Sequence, residues 1–419
     1  MDEPSAGGPP AWMPASVGAA YRRGDSSDDD LLSGAAWQQF LASLGRAGEV
    51  MHSSRVPAAL ADQTAGYRHL LVLLALGIDE ALRSSDPYQP RIEPANVDNV
   101  LKWGMDCPDA AYVGAGIRGD ATYRVWGNRG TARYLGFQIM GGMASTANVV
   151  ADDLDIAEDG TFEMILSATP QRGNWMGLSS GASSLVVRQF FYDWEHETPA
   201  QLSIECLDFD HGRSADGSTH DPPLSPAGVA RQLVALGEHL EASLAFWIDI
   251  EEAGRAQGLN VFRMPVNRTD MGAAAESVTV WGSWQLNDGE ALVIEVVPPR
   301  ALYWSVSLGN YWWETIDYAN HQSSLNGHQA VIDDDGVFRA VVSSHDPGVA
   351  NWLDTAGQSC GPTIFRWVRA EDAPVPETRL VKFDQLNDVL PTGTARVDPN
   401  ARRAAIAARR RGVQRRFPR

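Results

Sequence analysis

Residues 158–190 read EDGTFEMILSATPQRGNWMGLSSGASSLVVRQF, and residues 334–367 read DDGVFRAVVSSHDPGVANWLDTAGQSCGPTIFRW. Each opens on Asp-Gly-x-Phe, at Asp159 and Asp335. Each reaches Asn-Trp, at Asn174-Trp175 and Asn351-Trp352, then passes a Gly/Ser loop into a strand carrying one arginine, Arg188 or Arg366. The spacings agree to one residue: Gly160 to Trp175 is 15 against 16 for Gly336 to Trp352, and Trp175 to Arg188 is 13 against 14 for Trp352 to Arg366. Upstream, TARYLGFQIM parallels RALYWSVSLG. Self-similarity of this length marks a repeated supersecondary unit. Both stretches are β-branched and aromatic runs broken by glycine turns, the pattern of short strands. The sequence therefore predicts an α+β fold with two related antiparallel β-sandwich (jelly-roll-like) domains, an N-terminal helical subdomain and an inter-repeat helix.

Working outward, residues 1–33 are rich in Gly, Pro, Ser and Asp and read as a disordered acidic arm. Residues 34–94 form the N-terminal helical subdomain. One apolar stripe runs through Trp37, Phe40, Leu41, Leu44 and Met51, and a second through Tyr67, Leu70, Leu71, Leu74, Ile78 and Leu82. The first β domain spans 95–221 and the second 263–385. The connecting helix, 222–262, starts at Ser225-Pro226 and carries the stripe Val229, Leu233, Leu236, Leu240, Leu244 and Trp247. Residues 386–419 read as a linker and a basic C-terminal helix.

The formal charge is −19, with eight arginines and no acid in residues 402–419. So acidic a body repels nucleic acid and anionic membranes, and neither is expected as a partner. The basic tail is expected to be an exposed helix packed against the acidic body. Three widely spaced cysteines, Cys107, Cys206 and Cys360, fit a reducing compartment. The start MDEPSAGGPPAWMP shows no leader pattern, and HLLVLLALGI is too short to span a bilayer. The expected location is cytoplasmic. The 14 tryptophans point to aromatic-rich cores or a flat apolar pocket.

Three motifs spell chemistry without its context. Gly177 to Gly181 is a literal G-x-S-x-G, but a nucleophile elbow needs a helix after Ser179, and a strand follows here. GAGIRG, Gly114 to Gly119, is a literal G-x-G-x-x-G followed by a strand, which reads as a hairpin turn. Asp208 to Asp221 gathers acids and histidines in a polar loop, expected to be a solvated connector rather than a metal site. Asn174 and Asn351 read as turn residues satisfying backbone groups. Arg188 and Arg366 read as paired structural arginines, because an unpaired inward guanidinium is costly.

The pieces YRVWGNRGTARYLGFQ, DGTFEMILS, GNWMGL, EALVIEVVPPRALYWSVSLGNYWWETIDY, HQSSLN, DPGVANWLDTAG and FRW resemble the domain-of-unknown-function family 1214. The resemblance covers roughly residues 36 to 415 and is more specific in the second half. It implies β-rich, jelly-roll-like domains and carries over no catalytic residue, since the family has no settled activity.

The repeats differ most at GNYWWETIDYANHQSSLN, Gly309 to Asn326, where the first copy has nothing comparable. An insertion between matched strands is where one copy acquires a site. Asn310, Tyr311, Trp312, Tyr318 and Asn326 are the candidate substrate-binding residues. His321 is the candidate base, oriented by Glu314 or Asp317; on a helix these three share one face. The bland alternative is a polar network tying the insertion to its sandwich. Two functions fit. One is an enzyme acting on a small apolar or aromatic organic molecule. The other is a non-catalytic module binding a small hydrophobic ligand or a protein. No residue pattern names a cofactor, a metal or an oligomeric state.

Overall fold

Alternation of apolar and polar residues sets the strands. In Thr161–Ser167 the buried apolar residues are Phe162, Met164 and Leu166, and the exposed ones are Thr161 and Glu163, so one face of the sheet goes inward. The computed structural model describes residues 26–82, 87–94, 98–142, 144–208 and 225–417. In it the two repeats fold as two β-sandwiches. The first holds β1 (Glu93–Pro94), β2 (Ala110–Gly116), β3 (Tyr123–Asn128), β4 (Tyr134–Gly141), β5 (Ala144–Val150), β6 (Thr161–Ser167), β7 (Trp175–Gly177), β8 (Ser184–Phe190) and β9 (Gln201–Cys206). The second holds β10 (Val261–Phe262), β11 (Ser277–Gln285), β12 (Glu290–Val296), β13 (Ala301–Leu308), β14 (Ser324–Asn326), β15 (Phe338–Ser343), β16 (Trp352–Asp354), β17 (Cys360–Ala370) and β18 (Glu377–Lys382).

The strand orders match one for one. A five-stranded sheet β1-β2-β8-β4-β5 faces a four-stranded sheet β7-β6-β3-β9, and β10-β11-β17-β13-β14 faces β16-β15-β12-β18. Even the parallel pairs correspond, β6 with β7 and β15 with β16. The cores lie between the sheets. Tyr123, Phe137, Met164 and Val187 fill one, and Trp284, Ile294, Phe338 and Phe365 the other.

The Asn-Trp turns are duplicated to the level of single hydrogen bonds. Asn174 Nδ2 donates to the carbonyls of Asp155 and Glu163, and its Oδ1 accepts from Asp155 N–H. Asn351 does the same with Val331 and Arg339. Both asparagines satisfy backbone groups that the short parallel strand leaves open.

Around the sandwiches lie α1 (Asp28–Leu32), α2 (Ala35–Val50), α3 (Leu60–Leu82), α4 (Pro226–Ala256), α5 (Leu386–Val389) and α6 (Pro399–Arg416). Ser225 Oγ accepts from Gly228 N–H at 3.0 Å and caps α4. Leu236, Leu240, Leu244 and Trp247 are buried along it. Residues 26–33 differ from the expected disordered arm. Asp30 reaches back to Ser27 N–H at 2.6 Å, and Asp28 accepts from Ala227 N–H at 3.0 Å, which pins α1 to the start of α4. The α3 stripe is also rotated from expectation. Tyr67, Leu71, Ile78 and Leu82 are exposed, whereas His69, Val72 and Leu73 are buried.

In α6, Arg402, Arg409 and Arg416 recur every seven residues, share one face and are buried. They lie over aromatic rings: Arg402 over Trp352, and Arg409 and Arg416 over Trp194 at 4.7 and 4.4 Å. Arg409 Nε donates to the Tyr318 carbonyl at 2.9 Å, and Arg416 Nη2 to that of Pro108 at 2.7 Å. The helix is thus held by cation–π contacts and carbonyls as well as by the acidic surface; among the described residues its ion pairs are Arg402 with Asp346 and Arg411 with Glu195. No helix among the described residues is long and apolar enough to cross a membrane.

Candidate functional site between the two sandwiches

The two sandwiches meet through equivalent residues used reciprocally. Arg188 faces Tyr112 on β2 and Gly136 on β4; Arg366 faces Thr279 on β11 and Ser305 on β13. These registers make Tyr134 and Tyr303 counterparts, two residues before Gly136 and Ser305. Tyr303 donates to Asp109 Oδ2 at 2.6 Å, in the segment leading into β2 of the other sandwich. Tyr134 donates to Glu276 Oε2 at 2.8 Å, in the segment leading into β11. Asp109 and Glu276 also correspond, each three residues before the strand position that faces an arginine. Each carboxylate takes a further asparagine donor, Asn326 at 2.7 Å and Asn148 at 2.5 Å. Trp194 adds a third bond to Asp109 at 2.7 Å. Stacked rings of Tyr134, Phe190 and Tyr303, with centroids 5.0 Å apart, cross the junction. A contact of residue i with j repeated as j with i is the mark of an isologous interface.

The arginines follow the same rule. Arg188 donates to Gln138 Oε1 and to the Gly272 carbonyl; Arg366 donates to Ser307 Oγ and to the Met105 carbonyl. Gln138 and Ser307 correspond, as do Met105 and Gly272. The expected pairing of these arginines therefore takes another form: the partners are neutral oxygens, and among the described residues neither guanidinium has a carboxylate at ion-pair distance.

Both arginines line a cavity of about 460 Å³, a size that suits a small organic molecule. Much of its wall is made of matched positions, Met105 with Gly272, Cys107 with Ala274, Tyr112 with Thr279, and Val186 with Ile364. The lining also holds an aromatic cluster with no counterpart between the copies. Trp247 of α4 stacks on Trp313 at 5.1 Å and meets Trp103 edge-on at 5.0 Å, and Trp281 lies edge-on to Trp313 at 5.2 Å. Ala253, exposed on α4, and Gln257, exposed just after its end, also border the cavity. Met105 and Trp313 have φ of 54° and 59°, and Met105 N–H donates to the Trp313 carbonyl at 2.7 Å. Left-handed backbone is unfavourable for such bulky residues, and here two of them hold each other in the cavity wall.

Burial sets the protonation of the wall. It pushes the Cys107 thiol up and Tyr112 to about 12, so both stay neutral. Burial also raises Asp106, against the pull of Lys102 and the Thr315 hydroxyl, which donates at 2.8 Å. Behind Trp313, Glu251 is fully buried, accepts from the Trp313 indole N–H at 3.1 Å, and is pushed up to about 7 by burial.

The insertion 309–326 lies beside this cavity and is not a helix: turns lead from Gly309 to the strand Ser324–Asn326. The expected single face for Glu314, Asp317 and His321 is therefore absent, and each has its own partner. Glu314 is buried and accepts from His69 Nδ1 at 2.9 Å and Asn310 Nδ2 at 3.2 Å. Burial alone would raise Glu314, but His69, Asn310 and Lys102 outweigh it and hold the carboxylate below its usual range. Asp317 accepts from Ala319 and Asn320 N–H and caps a turn. His321 Nδ1 pairs with Asp354 Oδ2 at 2.7 Å, which raises its pKa. The carboxylate beside His321 is thus Asp354 of β16.

The candidate binding residues are also engaged. Asn310 Oδ1 accepts from Trp312 N–H at 3.0 Å. Tyr311 donates to the Arg55 carbonyl at 2.8 Å and Trp312 to that of Asp62 at 2.9 Å, docking the insertion on the helical layer. Tyr318 is buried under Lys102 Nζ, 4.3 Å from its ring centroid. Asn326 belongs to the Asp109 clamp. Of the aromatic triplet, only Trp313 reaches the cavity. Ser179 lies exposed in the turn before β8, with no helix after it. GAGIRG joins two different sheets, so it is a sandwich crossover rather than a hairpin. The polar loop 208–221 lies, from 209 on, outside the described residues.

Sequence reading took Arg188 and Arg366 as structural and missed this cavity; the signal that could have found it is the repeat itself. One arginine in each copy, at matched positions, converges wherever two copies meet reciprocally. Trp103, Trp247 and Trp281 carried no such signal, because an indole in a core and one in a cavity wall look alike in sequence.

The family described as protein of unknown function (DUF1214) matches residues 290–371. The crystal structure of an uncharacterised protein from Burkholderia cenocepacia is similar to this chain at 33% identity and a TM-score of 0.78, covering 86% of this chain and 100% of that one. A structure from Vibrio parahaemolyticus is 14% identical over 75% of this chain and 99% of that chain, with a TM-score of 0.43. No curated protein matches. With the repeat, the sandwich pair and the Burkholderia relative agreeing, the chain belongs to the DUF1214 family.

Proposed function

We propose that this protein binds a small, flat, largely apolar organic molecule in the cavity between its two sandwiches. The observation that supports this is a single space of about 460 Å³ lined both by four indoles and by matched residues of the two sandwiches. Stacked and edge-on indoles offer flat faces to an aromatic or unsaturated ring system. The matched walls and strand orders fit an origin by internal duplication, with the site arising where the copies meet. The reading is a binding function: Cys107 and Tyr112 are held neutral, and the insertion's carboxylates and histidine have separate partners.

Titration calorimetry with naphthalene-2-carboxamide as probe tests the reading. Wild-type protein is expected to bind it. Ala253→Trp, an exposed helix position that borders the cavity, is expected to weaken binding at least tenfold with an unchanged melting temperature. Equal binding by the variant, or no binding by the wild type, would contradict the proposal.

A further inference from the structure

The charge inside the cavity is opposite to that of the chain. The whole sequence carries −19, yet the charged side chains of the wall are Arg188, Arg268, Arg366 and Asp106. Asp106 is turned to Thr315, which gives it both hydroxyl and N–H. Arg268 is neutralised by Asp270 at 2.9 Å. That leaves Arg188 and Arg366. Arg366 is only 8% exposed, and each arginine spends two of its guanidinium donors on neutral oxygens. A guanidinium has five donors, so each keeps donors for another acceptor. Arg366 is buried and Arg188 half-buried, and two such cations at matched positions, with no carboxylate at ion-pair distance among the described residues, are costly as they stand. A bound anion offsets that cost.

From this arrangement we propose that the ligand is an organic acid, its carboxylate held between Arg188 and Arg366 and its flat apolar body against Trp247, Trp281 and Trp313. Guanidinium forks match carboxylate geometry and make the stronger, charge-assisted hydrogen bonds. The tryptophans that line the same cavity account for the rest of the molecule. A free inorganic anion would leave them uncovered. This inference rests on the binding function proposed above and specifies its ligand class.

The test pairs two probes of one shape, naphthalene-2-carboxylate and naphthalene-2-carboxamide, titrated against wild type, Arg188→Gln and Arg366→Gln. The acid is expected to bind wild type at least tenfold more tightly than the amide. Each variant is expected to lose that preference while still binding the amide, which also shows that it is folded. If acid and amide bind wild type equally, the organic-acid assignment is overturned and the flat-ligand reading stands. If neither binds, both fall. If a variant binds neither probe, Arg188→Lys and Arg366→Lys replace it: retained amide binding with a reduced acid preference supports the proposal, and an undiminished preference overturns it.

Discussion

The two sandwiches share a strand order, yet they differ at one connection. In the first, β4 turns directly into β5 between Gly141 and Ala144. In the second, the path from β13 to β14 runs from Leu308 to Ser324. The short turn, Gly-Met in sequence, carries no aromatic residue. The long one carries Tyr311 and Trp312 to the helical layer and Trp313 to the cavity. The matched positions therefore supply the arginines of the cavity, and the segment found only in the second sandwich supplies one of its four indoles, Trp313.

The sharpest way to break this comparison is to remove the added segment's anchor. Trp312 is fully buried, and its ring packs so closely on Gly66 that no Cβ fits there. Trp312→Ala should cost roughly 3–5 kcal/mol in urea unfolding. The first sandwich has no counterpart to lose.

A subtler contrast lies in the reciprocal clamps. Asp109 is fully buried and takes three side-chain donors, Trp194, Tyr303 and Asn326. Glu276 is only half-buried and takes two, Tyr134 and Asn148. Removing a buried acceptor strands its donors away from water. Asp109→Ala should therefore cost about 3 kcal/mol and Glu276→Ala about 1 kcal/mol, measured by the same unfolding assay. Equal losses would mean that the clamps are equivalent in energy as well as in geometry.

The smallest effect concerns Glu251, behind Trp313. Burial raises it from 4.5 to about 7, although Arg255 and Arg263 act to lower it. The folded state therefore holds a proton that the unfolded chain releases near its ordinary pKa. Stability from this group is full below about 4.5 and is lost as pH rises through about 7. The loss approaches ~3 kcal/mol at its upper limit. Glu251→Gln keeps an acceptor for Trp313 and removes the titration. The difference in melting temperature between variant and wild type should grow from pH 5 to pH 8 in favour of the variant. Comparing the two proteins cancels the opposite slope of His239, which burial lowers to about 4. A constant difference would place Glu251 in a more polar setting than the structure shows.

The repeated strands, the Asn-Trp turns and α4 were legible because periodicity and turn chemistry are local. The apolar face of α3 was not: its buried side carries His69 and Asp62, polar residues that earn burial only through partners far along the chain, Glu314 and Ser359. The basic tail was legible as a helix, but not its docking on Trp194 and Trp352 through an arginine at every seventh residue. For the site, sequence reading singled out the insertion, within which the structure gives Glu314, Asp317 and His321 separate partners. Glu314 and His321 are chemically suggestive, but their partners His69 and Asp354 are set by tertiary contacts. Arg188 and Arg366 were visible as a matched pair. Their convergence on one cavity depends on the reciprocal junction, and no single copy contains that information.

The most direct measurement is a crystal structure of the protein soaked with naphthalene-2-carboxylate. The account predicts density for the ring against Trp247, Trp281 and Trp313, with the carboxylate between the guanidiniums of Arg188 and Arg366. Ligand bound elsewhere, or a closed junction with the two arginines neutralised by carboxylates of the chain itself, would contradict it.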